Sequence, residues 1–307
     1  MSYTDHLQTC VIKLLGVFLR RFSLRKVQKM AAALGKFFYR HIPIRRDAAL
    51  ANLKLCFPEK SKYELENILE ESYVNVATVL FEFLYFPKFT RENLKNIVEF
   101  PDESQRLIES ALKRGRGLIL ISGHFSNWEL VALAIGAFSS KQFAIIVHPF
   151  HNKAADKLAN KYRSLLGNST VPMANSIRAS LSSLRANGII ALLADQSAAK
   201  ESAQAKFFGI DVPTFQGPSS FALRTRAAVQ VGFAIRKQDG TYRLELREID
   251  YTDLKDDSEK NIMELTQRHV TALEEYIRKY PDKWLWFHKR FKHVPSFHDM
   301  LQKVKDT

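Results

Sequence analysis

The chain has 307 residues, 46% of them hydrophobic and 25% charged, with a net charge of +14. That is enough for one large domain or two small ones with a substantial core. Two cysteines, Cys10 and Cys56, without metal-type spacing exclude a disulfide framework and a cysteine-built metal site.

The charge is concentrated at the start. Residues 1–60 carry twelve Lys or Arg against three Asp or Glu, a surplus of nine. The early apolar run is interrupted by Lys13 and closed by Arg20 and Arg21. It is too short for the roughly 20 apolar residues of a spanning helix, and no small-residue cleavage site follows. Leu, Val and Phe interleaved with Arg and Lys over residues 8–40 predict a basic amphipathic helix pair. Such a pair lies on an anionic membrane surface, or packs as an arm on its own domain.

Pro43 ends this region, a short helix is expected at 46–55, and Pro58 forces a turn. A longer helix from Lys60 to Phe86 makes the first hundred residues mainly helical. The pattern then alternates. Buried strands are expected at Gly117–Ser122, Phe143–His148 and Ile189–Asp195, with a fourth at residues 228–236. Between them lie helical segments, two of them stopped at Gly167 and Gly188. Gln238–Gly240 signals a tight turn into a hairpin partner, and a long helix follows over residues 258–280. Strands alternating with helices predict an α/β fold: a mainly parallel central sheet flanked by helices, preceded by the N-terminal basic amphipathic arm. The division expected is a helical, membrane-associating region at 1–100 and an α/β core at 101–307. Gly117–Ser140 carries only one charge, Glu129, but "SGHFSN" reads as a break between strand and helix rather than as a membrane span.

In a parallel sheet ligands gather at the carboxyl ends of the strands. His124 follows a strand end, and Glu129 lies five residues on, in the first turn of a helix starting at Ser126 or Asn127. A loop folded back onto that turn would let Glu129 accept the Nδ1 proton of His124 and leave Nε2 as a base toward the cleft. Ser126-x-x-Glu129 equally fits a capping box, with Glu129 serving the backbone. No G-x-S-x-G elbow supplies a protein nucleophile, so the base would act on a substrate hydroxyl, an alcohol attacking an activated acyl carbonyl. Asp195 and Gln196 end a strand at the same face, as support for the base, as acceptor contacts, or as caps of the next turn. Asn127 is a further candidate for contacting substrate. Arg290 and Lys292 suit phosphate or plain surface charge, and His288 beside Trp284 and Trp286 suits packing.

"SGHFSNWEL" resembles the H-x4-D/E motif of glycerolipid acyltransferases, and the chain is similar to the late acyltransferases of lipid A biosynthesis. Further stretches match in order: "RRDAALANLKLCFPEKS", "YRSLLG", "LLADQS", "KFFGIDVPTFQGPSSFALRTRAAV" and "KWLWFHKRFKHVP", covering about residues 8–295. The resemblance implies an acyl carrier protein thioester as donor and an anionic glycolipid hydroxyl as acceptor, at the cytoplasmic face of the inner membrane. By position it makes His124 the base and Glu129 its orienter, with Arg163 polarising the thioester carbonyl or holding a phosphate. It implies no cofactor and no metal. Acidic donor protein and lipid phosphates both suit a chain of charge +14, and the phenylalanines of Phe81–Phe86 could line an acyl tunnel. "SAAKESAQAKFFG" departs from the usual pattern after Asp-Gln and leaves the acceptor open, with lysophospholipid or aminoacyl lipid as alternatives. Of two other classes, a non-catalytic basic membrane binder remains. Nucleic acid is disfavoured, because no binding signature is present and the basic segment is threaded with Leu and Phe. Metal hydrolysis through His124, His148 and His151 lacks any ligand spacing.

Overall fold

A computed structural model describes residues 3–139 and 141–306; Ser140, the end of the apolar stretch, lies outside them, as do the extreme termini of both expected regions. The N-terminal region contains helices α1 (Tyr3–Leu19), α2 (Leu24–His41), α3 (Arg46–Cys56), α4 (Lys62–Tyr85) and the single turn α5 (Arg91–Leu94). The helix expected over 8–40 is thus two helices, parted at Arg20–Ser23, and the predicted pair is present. Helix α4 starts in a complete capping box: Ser61 Oγ accepts from Glu64 N, and Glu64 accepts from Ser61 N. Among the described residues no helix is long and apolar enough to cross a membrane.

The core follows as β1 (Val98–Glu99), α6 (Asp102–Lys113), β2 (Leu118–Ser122), α7 (Trp128–Phe138), β3 (Phe143–Val147), α8 (Lys153–Arg163), β4 (Ser169–Pro172), α9 (Ser176–Arg185) and β5 (Ile189–Leu193). Then come β6 (Gln204–Phe207), β7 (Ile210–Pro213), α10 (Gly217–Thr225), β8 (Ala228–Arg236), β9 (Tyr242–Glu248), α11 (Glu259–Lys279) and α12 (Pro295–Lys305). Seven strands form one sheet in the order β1-β9-β8-β2-β5-β3-β4. All pairs are parallel except the β8–β9 hairpin. The fold class is the one expected.

Burial alternates along β2 by face. Leu118 and Leu120 join one core with α6 and α7; Ile119 and Ile121 join the other with α3, α10 and α11. All five β2 residues are buried, which is why the strand reads as a continuous apolar run. The sequence reading missed β1, β4, α6, α12 and the β6–β7 hairpin. These are edge or peripheral elements; β6 and β4 offer at most one or two buried positions each, too little for a periodic signal.

Helices α2 and α4 cross closely at Gly35. A Cβ at this position would lie 2.6 Å from Val74 Cα and 2.8 Å from Tyr73 O. Only a glycine permits that backbone approach, and it fastens the arm to the core.

Candidate active site

Strands β2 and β5 are neighbours, and their register pairs Ser122 with Leu193. His124 and Asp195 each lie two residues beyond that pair, so the sheet itself delivers them side by side. His124 Nδ1 is 2.8 Å from Asp195 Oδ1, and His124 N donates to Asp195 Oδ2 at 2.8 Å. Gly123 makes room: a Cβ there would sit 3.3 Å from Asp195 Oδ2 and 3.1 Å from Leu273. Trp284 Nε1 also donates to Asp195 Oδ2, at 2.9 Å. The Asp195 side chain is 2% exposed and that of His124 20%.

The pair polarises itself. Burial alone would raise the Asp195 pKa, but the His124 charge and hydrogen bonds, with the Trp284 bond, bring it down to about 2. Burial alone would lower the His124 pKa, but the Asp195 charge and hydrogen bond outweigh it, and the pKa is raised. With Nδ1–H donating to an ionised Asp195, Nε2 carries the lone pair. Gln196 Nε2 lies 3.3 Å from it, as a donor to that lone pair.

Glu129 is elsewhere. Its carboxylate accepts from Arg163 Nε at 2.9 Å and from Arg163 Nη2 at 2.6 Å. The expected Glu129–His124 hydrogen bond is therefore replaced by His124–Asp195. Ser126 adopts left-handed backbone, φ 49°, between His124 and α7, a costly conformation for a residue with a Cβ. It separates the loop from the helix rather than folding one onto the other. The Ser126 capping box is not formed either: the N-cap of α7 is Asn127, whose Oδ1 accepts from Leu130 N.

Asn127 does not face the cleft, contrary to its candidacy for substrate. It is buried, and its Nδ2 donates to Glu82 Oε2 at 2.6 Å. Glu82 also accepts from Gln28 and Tyr242, and despite those donors burial raises its pKa. This network joins α2, α4, β9 and the start of α7. Asp195 likewise points into the protein, not at an acceptor. Arg290 is no phosphate ligand: it is 2% exposed and donates to Gln196 O, Pro213 O and Thr214 Oγ1. His288 is packed, and burial lowers its pKa to about 4.

An open cleft of about 360 Å³ begins at His124 and runs between β2, β5, β3 and α7. The polar lining includes His124, Glu129, Arg163 and Gln196; Leu120, Val131, Ala132, Ile145 and Ala191 make the wall apolar. The aromatic lining comes from Trp128, Phe150 and Phe215. The phenylalanines of Phe81–Phe86 pack in the core around α4 instead. His148 lines the cleft but His151 does not, and among the described residues no group of three or more His, Cys, Asp or Glu could hold a metal ion.

Sequence reasoning missed Trp284 as a partner of the site. Only the first of the two tryptophans of "KWLWFHKRFKHVP", far along the chain, hinted at it, and a buried indole needs an acceptor for its N–H.

The sequence model of the bacterial lipid A biosynthesis acyltransferases matches residues 3–293. The chain is 24% identical over 268 residues to a lipid A biosynthesis acyltransferase of Haemophilus influenzae, covering 86% of this chain and 80% of that protein. It is 25% identical over 257 residues to the lipid A biosynthesis palmitoleoyltransferase of Escherichia coli, covering 82% and 80%. It is 22% identical over 276 residues to the E. coli lipid A biosynthesis lauroyltransferase, covering 88% and 86%. An imidazole held by a buried carboxylate at the mouth of an apolar cleft fits acyl transfer, and with the match over nearly its whole length the chain belongs to the bacterial lipid A biosynthesis acyltransferase family.

Proposed function

We propose that the protein transfers a fatty acyl chain from an acyl carrier protein thioester to a hydroxyl of a lipid A precursor, at the cytoplasmic face of the inner membrane. The observation that carries this reading is His124: Nδ1 engaged by Asp195, Nε2 at the apolar cleft. His124 Nε2 takes the proton of the acceptor hydroxyl as its oxygen attacks the thioester carbon. The C–O bond forms, the C–S bond breaks, and the proton passes from Nε2 to the departing thiolate. Asp195 holds the tautomer and balances the transient imidazolium. Glu129 engages two nitrogens of Arg163; the third, Nη1, is assigned to the carbonyl oxygen as negative charge develops on it. The cleft wall takes the acyl chain.

Membrane seating is part of the same reading. Leu7, Val11, Leu14 and Phe18 form one exposed stripe on α1, while Thr9 and Leu19 on the other face are buried. Helix α1 packs beside the cleft entrance: Asn152, at the start of α8, donates to Asp5 O at 3.1 Å, and the cleft residue Phe150 lies two positions before it. Lys13 lies on the same helix, and Arg21, Arg25 and Lys29 follow it in the sequence. An apolar stripe flanked by cations suits an anionic lipid surface.

The test is mass spectrometry of lipids from the source cells with the gene deleted. Lipid A lighter by one secondary acyl chain is expected, and the mass deficit names the chain. Unchanged lipid A with an altered phospholipid or aminoacyl-lipid profile would reassign the acceptor. No lipid change at all would leave a non-catalytic membrane binder.

A further inference from the structure

The segment after α11 runs alongside the loop that carries His124. Ser126 N donates to Lys283 O at 2.7 Å, Leu285 N donates to His124 O at 2.9 Å, and Phe125 and Trp284 form an antiparallel bridge. A stretch some 160 positions downstream thereby adds a short β pairing to the end of β2. Two buried asparagines of the helical region lock its backbone. Asn75 Nδ2 donates to Lys283 O at 3.2 Å, and Asn52 Nδ2 donates to Trp286 O at 2.7 Å and to His288 O at 2.8 Å.

Trp284 is held on every side. It is 1% exposed, meets Trp286 edge-on at 4.7 Å between ring centroids and Phe207 at 5.5 Å, and its N–H ends on Asp195 Oδ2. Among the described residues, Asp195 Oδ2 receives two donors, the His124 backbone and this indole. Without the indole the carboxylate could rotate about its Cβ–Cγ bond, and Oδ1 would lose its aim at Nδ1.

We infer that Trp284 is a positioning residue for acyl transfer: its indole N–H fixes the rotamer of Asp195, and through it the orientation of the His124 ring. The inference rests on the assignment of His124 and Asp195 as the reactive pair. It gives the tryptophan of the C-terminal signature a task that packing alone would not require, since a phenyl ring would fill most of the same space.

The charge around the base sets the sign of a second readout. Asp195 and Glu129 act on His124 as anions, Arg163 as a cation. His288 and Arg290 are the other titratable groups that interact electrostatically with the pair. Once Oδ1 turns away from Nδ1, the carboxylate supports the imidazolium less, and the acid limb of kcat/KM moves to lower pH.

The test is Trp284→Phe in the full-length enzyme, assayed with an acyl carrier protein thioester and a lipid A precursor in detergent micelles. A second variant carries 3-benzothienylalanine at position 284, an indole isostere lacking the N–H, introduced by amber suppression. His124→Ala and Asp195→Asn are measured beside them. Expected are a loss of about ten- to a hundredfold in kcat, little change in KM, and an acid limb shifted downward in both 284 variants, with the isostere still unfolding cooperatively. The inference is overturned if the isostere keeps kcat within twofold and an unshifted acid limb while His124→Ala and Asp195→Asn are inactive. Activity retained by those two variants would instead overturn the assignment of the pair itself. If Trp284→Phe does not fold, the isostere alone decides.

Discussion

Asp195, not Glu129, holds His124. The two residues sit at the same height just past the ends of adjacent parallel strands, and Nδ1 meets Oδ1 at 2.8 Å. Asp195→Asn should lower kcat on the order of 10³- to 10⁴-fold, since an amide nitrogen facing Nδ1 favours the wrong tautomer. Glu129→Gln should act differently. It loosens Arg163, so the loss should be smaller, and a Glu129→Gln, Arg163→Ala double variant should lose no more than Arg163→Ala alone. Steady-state kinetics on the four variants check this. Equal losses in Asp195→Asn and Glu129→Gln with additive effects at 163 would argue that Glu129 reaches the base during turnover.

The pH profile follows from the same pair. Catalysis needs neutral His124, whose pKa is raised above its ordinary 6.5 because Asp195 outweighs burial. kcat/KM should therefore rise with pH through a midpoint above 6.5. In a residual-activity measurement of Asp195→Asn, burial outweighs the remaining charges of Glu129 and Arg163, and the midpoint should fall below 6.5. For stability the signs are opposite for the two groups. The raised His124 pKa contributes stability that is present at low pH and lost as pH rises through the folded pKa. The Asp195 pKa of about 2, depressed from 3.8, contributes stability present above 3.8 and lost as pH falls toward 2. Melting temperatures of wild type and Asp195→Asn between pH 2 and 8 should converge at the acid end.

The parallel sheet and its long helices were legible because two covered faces demand continuous apolar strands, as in β2 and β5. The position of His124 at a strand end was legible for the same reason. Its partner was not, although Asp195 had been noted at the same sheet face. Five-residue proximity pointed to Glu129, whereas strand adjacency decided the pairing, and no local pattern reports that β5 lies next to β2. Asn127 and Arg290 misled in another way. Both are polar residues in motif-like settings, yet each spends its hydrogen bonds on buried backbone or side-chain partners. Burial cannot be read from residue type alone.

Gly35 offers a test of how the arm is fastened. An added methyl would meet Val74 backbone atoms at 2.6 and 2.8 Å, and backbone cannot yield as a flexible side chain does. Gly35→Ala should cost about 1–3 kcal/mol, even though alanine is the better helix former. Urea unfolding checks the sign. A variant as stable as wild type would mean that α2 shifts freely against α4, and then the buried Gln28–Glu82 hydrogen bond at 2.6 Å should weaken too.

The exposed stripe of α1 leads to the last expectation. Leu14 and Phe18 are exposed and one turn apart; Phe18 touches the core only through its edge-on contact with Phe22. Each such side chain, if buried in a lipid interface, contributes about 1.5–3 kcal/mol. Leu14→Glu combined with Phe18→Glu should thus reduce co-sedimentation with anionic vesicles at least a hundredfold, with the melting temperature unchanged. Binding by wild type should also weaken with salt, because Lys and Arg near the surface add about 1 kcal/mol each through screened attraction. Vesicles of neutral lipid separate the two contributions: there the apolar stripe acts alone. Undiminished vesicle binding by the double variant would place the membrane contact on another surface, and the cleft entrance near Phe150 and Phe215 would then be the first place to probe.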